Sequence, residues 1–576
     1  MDSCKLTFAI GLLLSLLCRP GTPEMFSSTR QLIKLLAAES RILTAAEDFI
    51  TQEKERLQSL KDQLKLIRKR YNEGLVPRSP DYQETRGYIV PLPEPPEVEA
   101  ERVDYVGHPV NAYNLIKTWH SVSYQIVEQS RLNQRGSLAQ YDQVNECPIP
   151  LLSPTDFHDT MASLSTSMPT QTDISGSIDA IVRLQETYEL PTNSTADGVV
   201  MGTHASGVLS SRDCYVIARK AEEIRQSGFA IQWYEKALEN SYDEWWVKDA
   251  FYRLGTLLKG LASYERGLGY LRIAQEMDPE NRTVVDMVAS AENTVDRNEN
   301  FTASTYRKPP HEYRRYHVGW LSDYMKLCRG EHFDRDPEVV KALYCTYRYG
   351  ILPYLRYNEE IFNFNPRIAL IYNVIKNRDI NMLKDKATAG LSSSRVGDPA
   401  KSKLSNERIS KTSWLWDTED ERIFKLSKQV ADITGLSTQY STLHSHAEPF
   451  QLVNYGIGGQ YQPHFDYYEN DMLRNVPAFI QDTGDRVATF MFYLSSVKAG
   501  GATVFPKLHV RIPAVKGAAA FWFNIRRSGD REPLTQHAGC PVLLGEKWVA
   551  NKWIRELGQE YNRPCGLTPE ATDFDY

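Results

Sequence analysis

The chain has 576 residues, with 67 Lys and Arg against 73 Asp and Glu, a formal net charge of −6 and 41% hydrophobic residues. That length suits about three or four domains rather than one. The interspersed, nearly balanced charges exclude the basic footprint of a nucleic-acid binder and of a protein held on an anionic membrane surface.

Lys5 precedes the apolar run Leu6 to Leu17, and Cys18-Arg-Pro-Gly-Thr-Pro23 closes it. The run is short for a membrane span and reads as a secretory signal peptide over 1–23. No later stretch has the apolar length of a transmembrane helix, so the mature chain is expected to be luminal and soluble. Residues 24–150 read as a helical region. Within it, Leu32, Leu36, Leu43, Ala46, Ile50, Leu57, Leu60, Leu64 and Ile67 recur at steps of four and three, with Glu39 and Glu53 interrupting the seam. This predicts a coiled coil or long helical hairpin suited to dimerisation, with a helix packed inside its own domain as the alternative. Pro77, Pro80 and Pro91-Leu-Pro-Glu-Pro-Pro96 mark an extended loop, and 151–210 reads as a linker.

Residues 211–293 turn helical again. Ala218, Ala221, Trp233, Tyr234, Ala237 and Leu238 belong to a first helical pair, and Val247 to Met277 to a second that stops at Asp278-Pro279. Two such pairs with small residues at the crossings predict a tetratricopeptide-like module. Its concave face is expected to take a proline-rich peptide, because a polyproline II strand is already stiff. Tyr215, Phe229, Trp233, Tyr234, Tyr252 and Tyr264 are candidates to line that face, or else to form helix-packing core. A second linker, 294–320, carries Pro309-Pro310.

Residues 321–576 read as the catalytic region, with its core at about 446–556. Short β-rich runs at 451–455, 486–494, 502–505, 510–512, 518–523, 541–544 and 547–553 predict a sandwich or jelly roll. The whole is a multidomain α + β chain.

Of eight cysteines, Cys4 and Cys18 leave with the signal. In an oxidising compartment Cys328 with Cys345 and Cys540 with Cys565 close the shortest loops, and Cys147 with Cys214 is either a third pair or two thiols. Asn193, Asn281 and Asn300 head glycosylation sequons. The C-terminal Asp-Phe-Asp-Tyr576 is not a KDEL-type signal, so retention in the endoplasmic reticulum would need a partner.

Three stretches offer an imidazole and a carboxylate at alternate positions: His332-Phe333-Asp334, His446-Ala447-Glu448 and His464-Phe465-Asp466. A non-haem Fe(II) oxygenase needs two histidines and one carboxylate on one face, with three coordination positions open. Alternate residues at a strand end point the same way, and the second histidine arrives from a distant strand. If 2-oxoglutarate is cosubstrate, a buried cation must meet its far carboxylate. His537 is followed ten residues later by Lys547, through a strand, a turn and a returning strand. The two are expected on adjacent strands of one sheet. His464 and Asp466, with predicted strands between them and His537, form the preferred set. His332 and Asp334 sit in a charged turn, and His446 and Glu448 lie at Pro449.

With these residues in place the chain resembles the α subunits of collagen prolyl 4-hydroxylases, a family of 2-oxoglutarate- and Fe(II)-dependent dioxygenases. Asn454-Tyr-Gly-Ile-Gly-Gly-Gln-Tyr-Gln-Pro-His-Phe-Asp466 is similar to the family's ligand-bearing strand. Gly500-Gly-Ala-Thr-Val-Phe-Pro506, Cys540 through Trp553 and Gly107-His-Pro-Val-Asn-Ala112 match as well. The resemblance covers nearly the whole mature chain. It implies a C-terminal double-stranded β-helix with His464, Asp466 and His537 as iron ligands and Lys547 pairing with the C5 carboxylate of 2-oxoglutarate. It also implies Tyr455 as a hydrogen-bond donor to the cosubstrate, and Thr489 lining the same pocket. The implied reaction is 4-hydroxylation of proline in X-Pro-Gly sequences with release of succinate and CO2, ascorbate rescuing oxidised iron. The implied assembly is an α2β2 tetramer in the endoplasmic reticulum lumen. Its β subunit is protein disulfide isomerase carrying the retention signal, its coiled coil joins the α subunits, and its tetratricopeptide module holds the procollagen-like substrate. Two departures bear on peptide affinity and cosubstrate handling: Ala221 to Trp233 lacks the tyrosine cluster of vertebrate relatives, and Arg555 stands where relatives often have histidine. The alternatives are hydroxylation of another luminal proline-rich or lysine-bearing protein, and a non-catalytic peptide-binding subunit.

Overall fold

The computed structural model describes residues 28–39, 99–120, 168–239, 241, 245–297, 320–395, 407–440, 445–468, 482–568 and 571, with isolated positions between 41 and 58. The expected signal peptide, most of the expected coiled coil, the proline-rich loop, residues 298–319 of the second linker, Cys147 and Asn300 lie outside these residues. No described helix is long and apolar enough to cross a membrane.

The chain divides into two compact units. The smaller takes in Gln31–Arg102 and Lys117–Gln171; its described residues are largely helical, with Leu32, Leu35, Leu36 and Ala38 buried. The larger, which includes Val103–Ile116 and Thr172–Tyr576, holds the candidate site.

In the larger unit the described part of the expected 151–210 linker is folded. Helix Gln171–Tyr188 buries Ile178, Ile181, Val182 and Leu184 at helical spacing. A short helix, Thr192–Ala196, and the hairpin of β1 (Val199–Val200) and β2 (Thr203–His204) follow. The interleaved Ser, Gly, Asp and Gln hid this apolar stripe from a reading by composition. The Trp233 indole Nε1 donates to Gln185 Oε1 at 2.7 Å and ties this helix to the module that comes next.

That module is five helices: Ser211–Glu223, Ser227–Leu238, Val247–Gly260, Tyr264–Met277 and Arg282–Arg297. Ser210 and Asp213 form a reciprocal capping box at its start, each side chain bonding the other's backbone N–H. Gly255 and Gly267 let two helices touch, since a Cβ on either would meet the other's carbonyl oxygen at 2.8 Å. Of the six aromatics expected on the concave face, Tyr215, Phe229, Trp233 and Tyr234 are core. Each helix hides its bulkiest rings against its pair, where burial is most favourable. Tyr252 and Tyr264 are half-buried.

The C-terminal part is two facing sheets. Strands β3 (Cys345–Tyr349), β4 (Arg356–Asn363), β5 (Ile368–Tyr372), β6 (Ser392–Ser393), β8 (Lys411–Leu415), β9 (Phe450–Tyr455), β11 (Arg486–Tyr493), β15 (Ala519–Phe523) and β18 (Lys547–Arg555) form a nine-stranded sheet, ordered β3-β4-β5-β15-β11-β18-β9-β8-β6. Strands β7 (Arg408–Ile409), β10 (Gln460–His464), β13 (Thr503–Phe505), β14 (Val510–Ile512) and β16 (His537–Gly539) form a five-stranded sheet, ordered β14-β13-β16-β10-β7. Strands β12 (Ala499–Gly500) and β17 (Val542–Leu544) pair at one end. The strands at the centre of the large sheet read as near-continuous apolar runs because both faces are covered. Phe450, Leu452, Phe490, Phe492 and Ala550 pack on helices Asn377–Gly390 and Glu421–Thr434. The alternating residues Val453, Tyr455, Met491, Tyr493 and Val549 join Phe505, Trp522 and Val542 in a second core cluster.

The disulfide expectation needs correction. Cys328 pairs with Cys540, with Cα atoms 5.5 Å apart, while Cys345 and Cys565 are exposed thiols and Cys214 is a buried one. Helix Trp320–Arg329 packs Tyr324, Met325 and Leu327 against Ala502, Val504 and Ala538, which brings Cys328 beside Cys540. Cys345 starts an edge strand of the other sheet. Cα separation in the fold decides pairing, and a short loop in sequence does not. Asn193 and Asn281 are exposed.

Candidate active site

His464 ends β10 and His537 begins β16, and the two are register partners across the antiparallel pair. Their ring centroids are 4.4 Å apart. Asp466 lies two residues past His464, so its carboxylate returns to the same side. His464 Nε2 is 3.8 Å from Asp466 Oδ1 and His537 Nε2 is 3.7 Å from Asp466 Oδ2; one ligand atom from each residue lies within 4.8 Å of the other two. Each histidine donates from Nδ1 to a backbone carbonyl, His464 to Gln462 at 2.8 Å and His537 to Thr535 at 3.0 Å. A carbonyl only accepts, so the proton sits on Nδ1 and Nε2 keeps its lone pair. Burial first, and His537 second, push the His464 pKa down to about 3, which keeps the ring neutral. Burial works against the Asp466 carboxylate, but the two imidazoles, Arg486 and a hydrogen bond from Thr489 hold its pKa below the usual range.

Thr489, expected along the cosubstrate pocket, does something else. Its hydroxyl donates to Asp466 Oδ2 at 2.6 Å and accepts from Asn524 Nδ2 at 2.9 Å. As one of the inward residues of β11 it aims the carboxylate, and it is absent from the cavity wall.

Lys547 begins β18 opposite Tyr455 of β9. It is not on a strand next to β16, as expected: β18 belongs to the nine-stranded sheet and β16 to the five-stranded one. β17 pairs with β12 between them, so the chain crosses from one sheet to the other before Lys547. The Lys547 ammonium reaches back across the interior to Thr503 Oγ1 at 3.3 Å, which also accepts from the Tyr493 hydroxyl at 2.8 Å. Among the described residues no carboxylate pairs with Lys547, and burial pushes its pKa down to about 7. A buried ammonium held by one hydroxyl is costly until an anion joins it.

His464, Asp466, His537, Lys547, Tyr455 and Thr503 all line one cavity of about 430 Å³, counting its mouth, with Arg408, Tyr461, Trp522, Asn551 and Trp553. Arg408 Nε, Trp522 Nε1 and Trp553 Nε1 are buried donors without a hydrogen-bond partner among the described residues. Such orphans fit a ligand rich in acceptor oxygens. Sequence reasoning missed Arg408, because β7 is two residues long and carries no alternation. Its guanidinium lies 4.8 Å over the Tyr461 ring and donates to Gln451 Oε1 at 2.9 Å.

The other two tripeptides are elsewhere. His332 and Asp334 are exposed, and Phe333 between them stacks on His509 at 4.3 Å. Glu448 accepts from Arg486 at 2.6 Å and forms an ion pair with Arg555 at 2.9 Å. Burial opposes its ionisation, but these guanidiniums hold its pKa below the usual range. His446 Nδ1 is 2.7 Å from Ser437 Oγ. Arg555 is thus an ion-pair partner beneath the site and does not line the cavity.

The donor set fits a divalent iron: two imidazoles and one carboxylate on one side of the cavity, the rest open to ligands. Residues 450–555, from the start of β9 to the end of β18, match the family model of the 2OG-Fe(II) oxygenase superfamily. Residues 28–202 match that of the prolyl 4-hydroxylase alpha-subunit N-terminal region. The chain is 31% identical to prolyl 4-hydroxylase subunit alpha-1 of Rattus norvegicus, over 95% of this chain and 96% of that one. It is 29% identical to prolyl 4-hydroxylase subunit alpha-3 of Homo sapiens, over 95% of each. Among solved structures, the viral collagen prolyl hydroxylase from Paramecium Bursaria Chlorella virus-1, in its 2OG complex, aligns at 27% identity with a TM-score of 0.26, covering 33% of this chain and 95% of that one.

Proposed function

This chain belongs to the family of prolyl 4-hydroxylase alpha subunits and carries a 2-oxoglutarate- and Fe(II)-dependent oxygenase domain, and on that premise we propose that it hydroxylates C4 of proline in X-Pro-Gly segments of procollagen-like chains. The observation that carries this reading is the meeting, in one cavity, of the His464, Asp466 and His537 ligand atoms with a buried Lys547 that lacks a carboxylate partner among the described residues.

His464, Asp466 and His537 would hold the iron, which when bound supplies the O2 chemistry that couples decarboxylation of 2-oxoglutarate to hydroxylation. The chain's own residues do the rest. Gln462 and Thr535 carbonyls fix the two rings, and Thr489 fixes the carboxylate. Lys547 receives the C5 carboxylate of 2-oxoglutarate in a charge-assisted contact, with Tyr455 as a further donor to it. The enclosed walls exclude water from the reacting atoms.

In the same reading ascorbate rescues iron oxidised in uncoupled turnovers. The 24–150 region joins two such chains through a coiled coil, and 211–293 is a tetratricopeptide-like module that holds the proline-rich substrate. The β subunit is protein disulfide isomerase, the assembly an α2β2 tetramer, and the place the endoplasmic reticulum lumen. Exposed Asn193 and Asn281 are accessible to glycosylation there. Coexpression with protein disulfide isomerase and assay on a (Pro-Pro-Gly)-type peptide with Fe(II), 2-oxoglutarate and ascorbate tests it. 4-Hydroxyproline by mass spectrometry supports the reading; its absence, with product on another endogenous protein, replaces the substrate.

A further inference from the structure

Gly107 lies in the region matched by the N-terminal family model and Gly545 in the oxygenase domain, yet the two backbones touch. Gly545 N donates to Gly107 O at 2.8 Å. A Cβ on Gly107 would meet Val103 O at 2.6 Å and Gly545 Cα at 2.9 Å, both backbone atoms that cannot swing away. Gly107 ends one helix, Glu99–Val106, and Pro109 starts the next, over 109–120, so the Gly-His-Pro sequence makes a bend whose inside presents a bare carbonyl. Gly545 takes φ +92° in the turn that joins β17 to β18, and Lys547 is the second residue after it.

The bend is itself anchored. Asn111 Oδ1 accepts from Ser206 N at 2.9 Å and Ser206 Oγ at 3.0 Å, and Tyr113 donates to Asp213 at 2.8 Å. Helix Gln171–Tyr188 makes the same kind of contact with two more turns. Arg183 Nε donates to Gly458 O at 2.8 Å, in the turn that leads into β10 and His464. Tyr188 donates to the carbonyl of Pro541, in the turn after β16 and His537. Residues 103–116 and 172–188 therefore grip, at one end of the facing sheets, a turn next to each of the three strands that carry the site.

We propose that these N-terminal segments are a brace for the catalytic centre, and that Gly107 is a positioning residue which fixes the Gly545 turn and with it the place of Lys547. The proposal rests on the reading of Lys547 as receptor for the 2-oxoglutarate carboxylate. A gap of about 1 Å at such a receptor is enough to cost one to two orders of magnitude. The carboxylate contact suffers, and peptide binding, which uses other surfaces, does not.

The test compares the full chain with its Gly107→Ala, Asn111→Ala and Lys547→Ala variants, reading KM for 2-oxoglutarate, KM for peptide, and deuterium exchange of the segment spanning 542–549. For Gly107→Ala the expected result is a KM for 2-oxoglutarate raised about tenfold, an unchanged peptide KM, and faster exchange at 542–549 with 519–523, which pairs only with β5 and β11, unaffected. Asn111→Ala, which loosens the bend from Ser206 without touching the turn, gives a smaller change in the same direction and decides the matter if Gly107→Ala does not fold. Wild-type KM and exchange in the folded variants overturn the brace. An unchanged KM for 2-oxoglutarate in Lys547→Ala overturns the role given to Lys547 instead, and the exchange measurement still decides the brace.

Discussion

His464 and His537 face each other as register partners on β10 and β16, and each is locked by the same device: Nδ1 donating to the carbonyl two residues before it. The pair thus presents two Nε2 atoms of fixed tautomer toward one carboxylate. His464→Ala and His537→Ala should each lower iron affinity by at least about tenfold, since even second-sphere losses cost ten to a hundredfold, and should abolish turnover. His332→Ala, in the exposed copy of the tripeptide, should leave both unchanged. Iron titration of the purified variants separates the two.

Thr489 is predicted to act on the metal through Asp466. Thr489→Val removes the 2.6 Å hydrogen bond and leaves the Asn524 amide facing a methyl group. Iron affinity is expected to fall about tenfold, with Thr489→Ser restoring most of it. An unchanged iron isotherm in the valine variant would reduce Thr489 to packing.

Lys547 makes cosubstrate binding sensitive to pH. Burial holds its pKa at about 7 instead of 10.5, so the ammonium is fully formed only below that value. The KM for 2-oxoglutarate should be lowest in mildly acidic solution and rise as pH passes through 7; Lys547→Arg, which stays charged, should flatten the profile. The same shift sets a stability trend. Between 7 and 10.5 the unfolded chain holds this proton and the fold does not, so this group's contribution favours the fold increasingly as pH rises across that window.

Glu448 is predicted to matter for stability and not for metal. It takes two guanidiniums, Arg486 and Arg555, in a nearly buried cluster. Glu448→Ala leaves both cations without their carboxylate and should cost about 3 kcal/mol, the usual scale for breaking a buried pair. Urea unfolding measures it, and iron affinity of the surviving fold should stay near wild type.

The strands that build the walls were legible because they concentrate Val, Ile, Phe, Tyr and Trp between polar turns: the runs predicted at 451–455, 486–494, 510–512 and 547–553 fall on β9, β11, β14 and β18. The strands that carry the ligands were harder, since Gln460-Tyr-Gln-Pro-His464 spends its inward positions on polar side chains and shows no alternation of hydrophobicity. The ligands themselves emerged from residue chemistry and from resemblance. What sequence could not supply was which sheet each strand joins. That ignorance misplaced Lys547 beside His537, paired Cys328 with Cys345, and left Arg408 and Thr489 without their real neighbours. Contacts between residues far apart in the chain, such as Gly107 with Gly545, leave no periodic trace at all.

The most direct test of the central claim is a single-turnover assay of the assembled enzyme with limiting 2-oxoglutarate and a (Pro-Pro-Gly)-type peptide, counting succinate and 4-hydroxyproline together. The constellation of His464, Asp466, His537 and Lys547 predicts about equal amounts of the two, both lost in His464→Ala. Succinate without hydroxyproline, or hydroxyproline undiminished in His464→Ala, would contradict it.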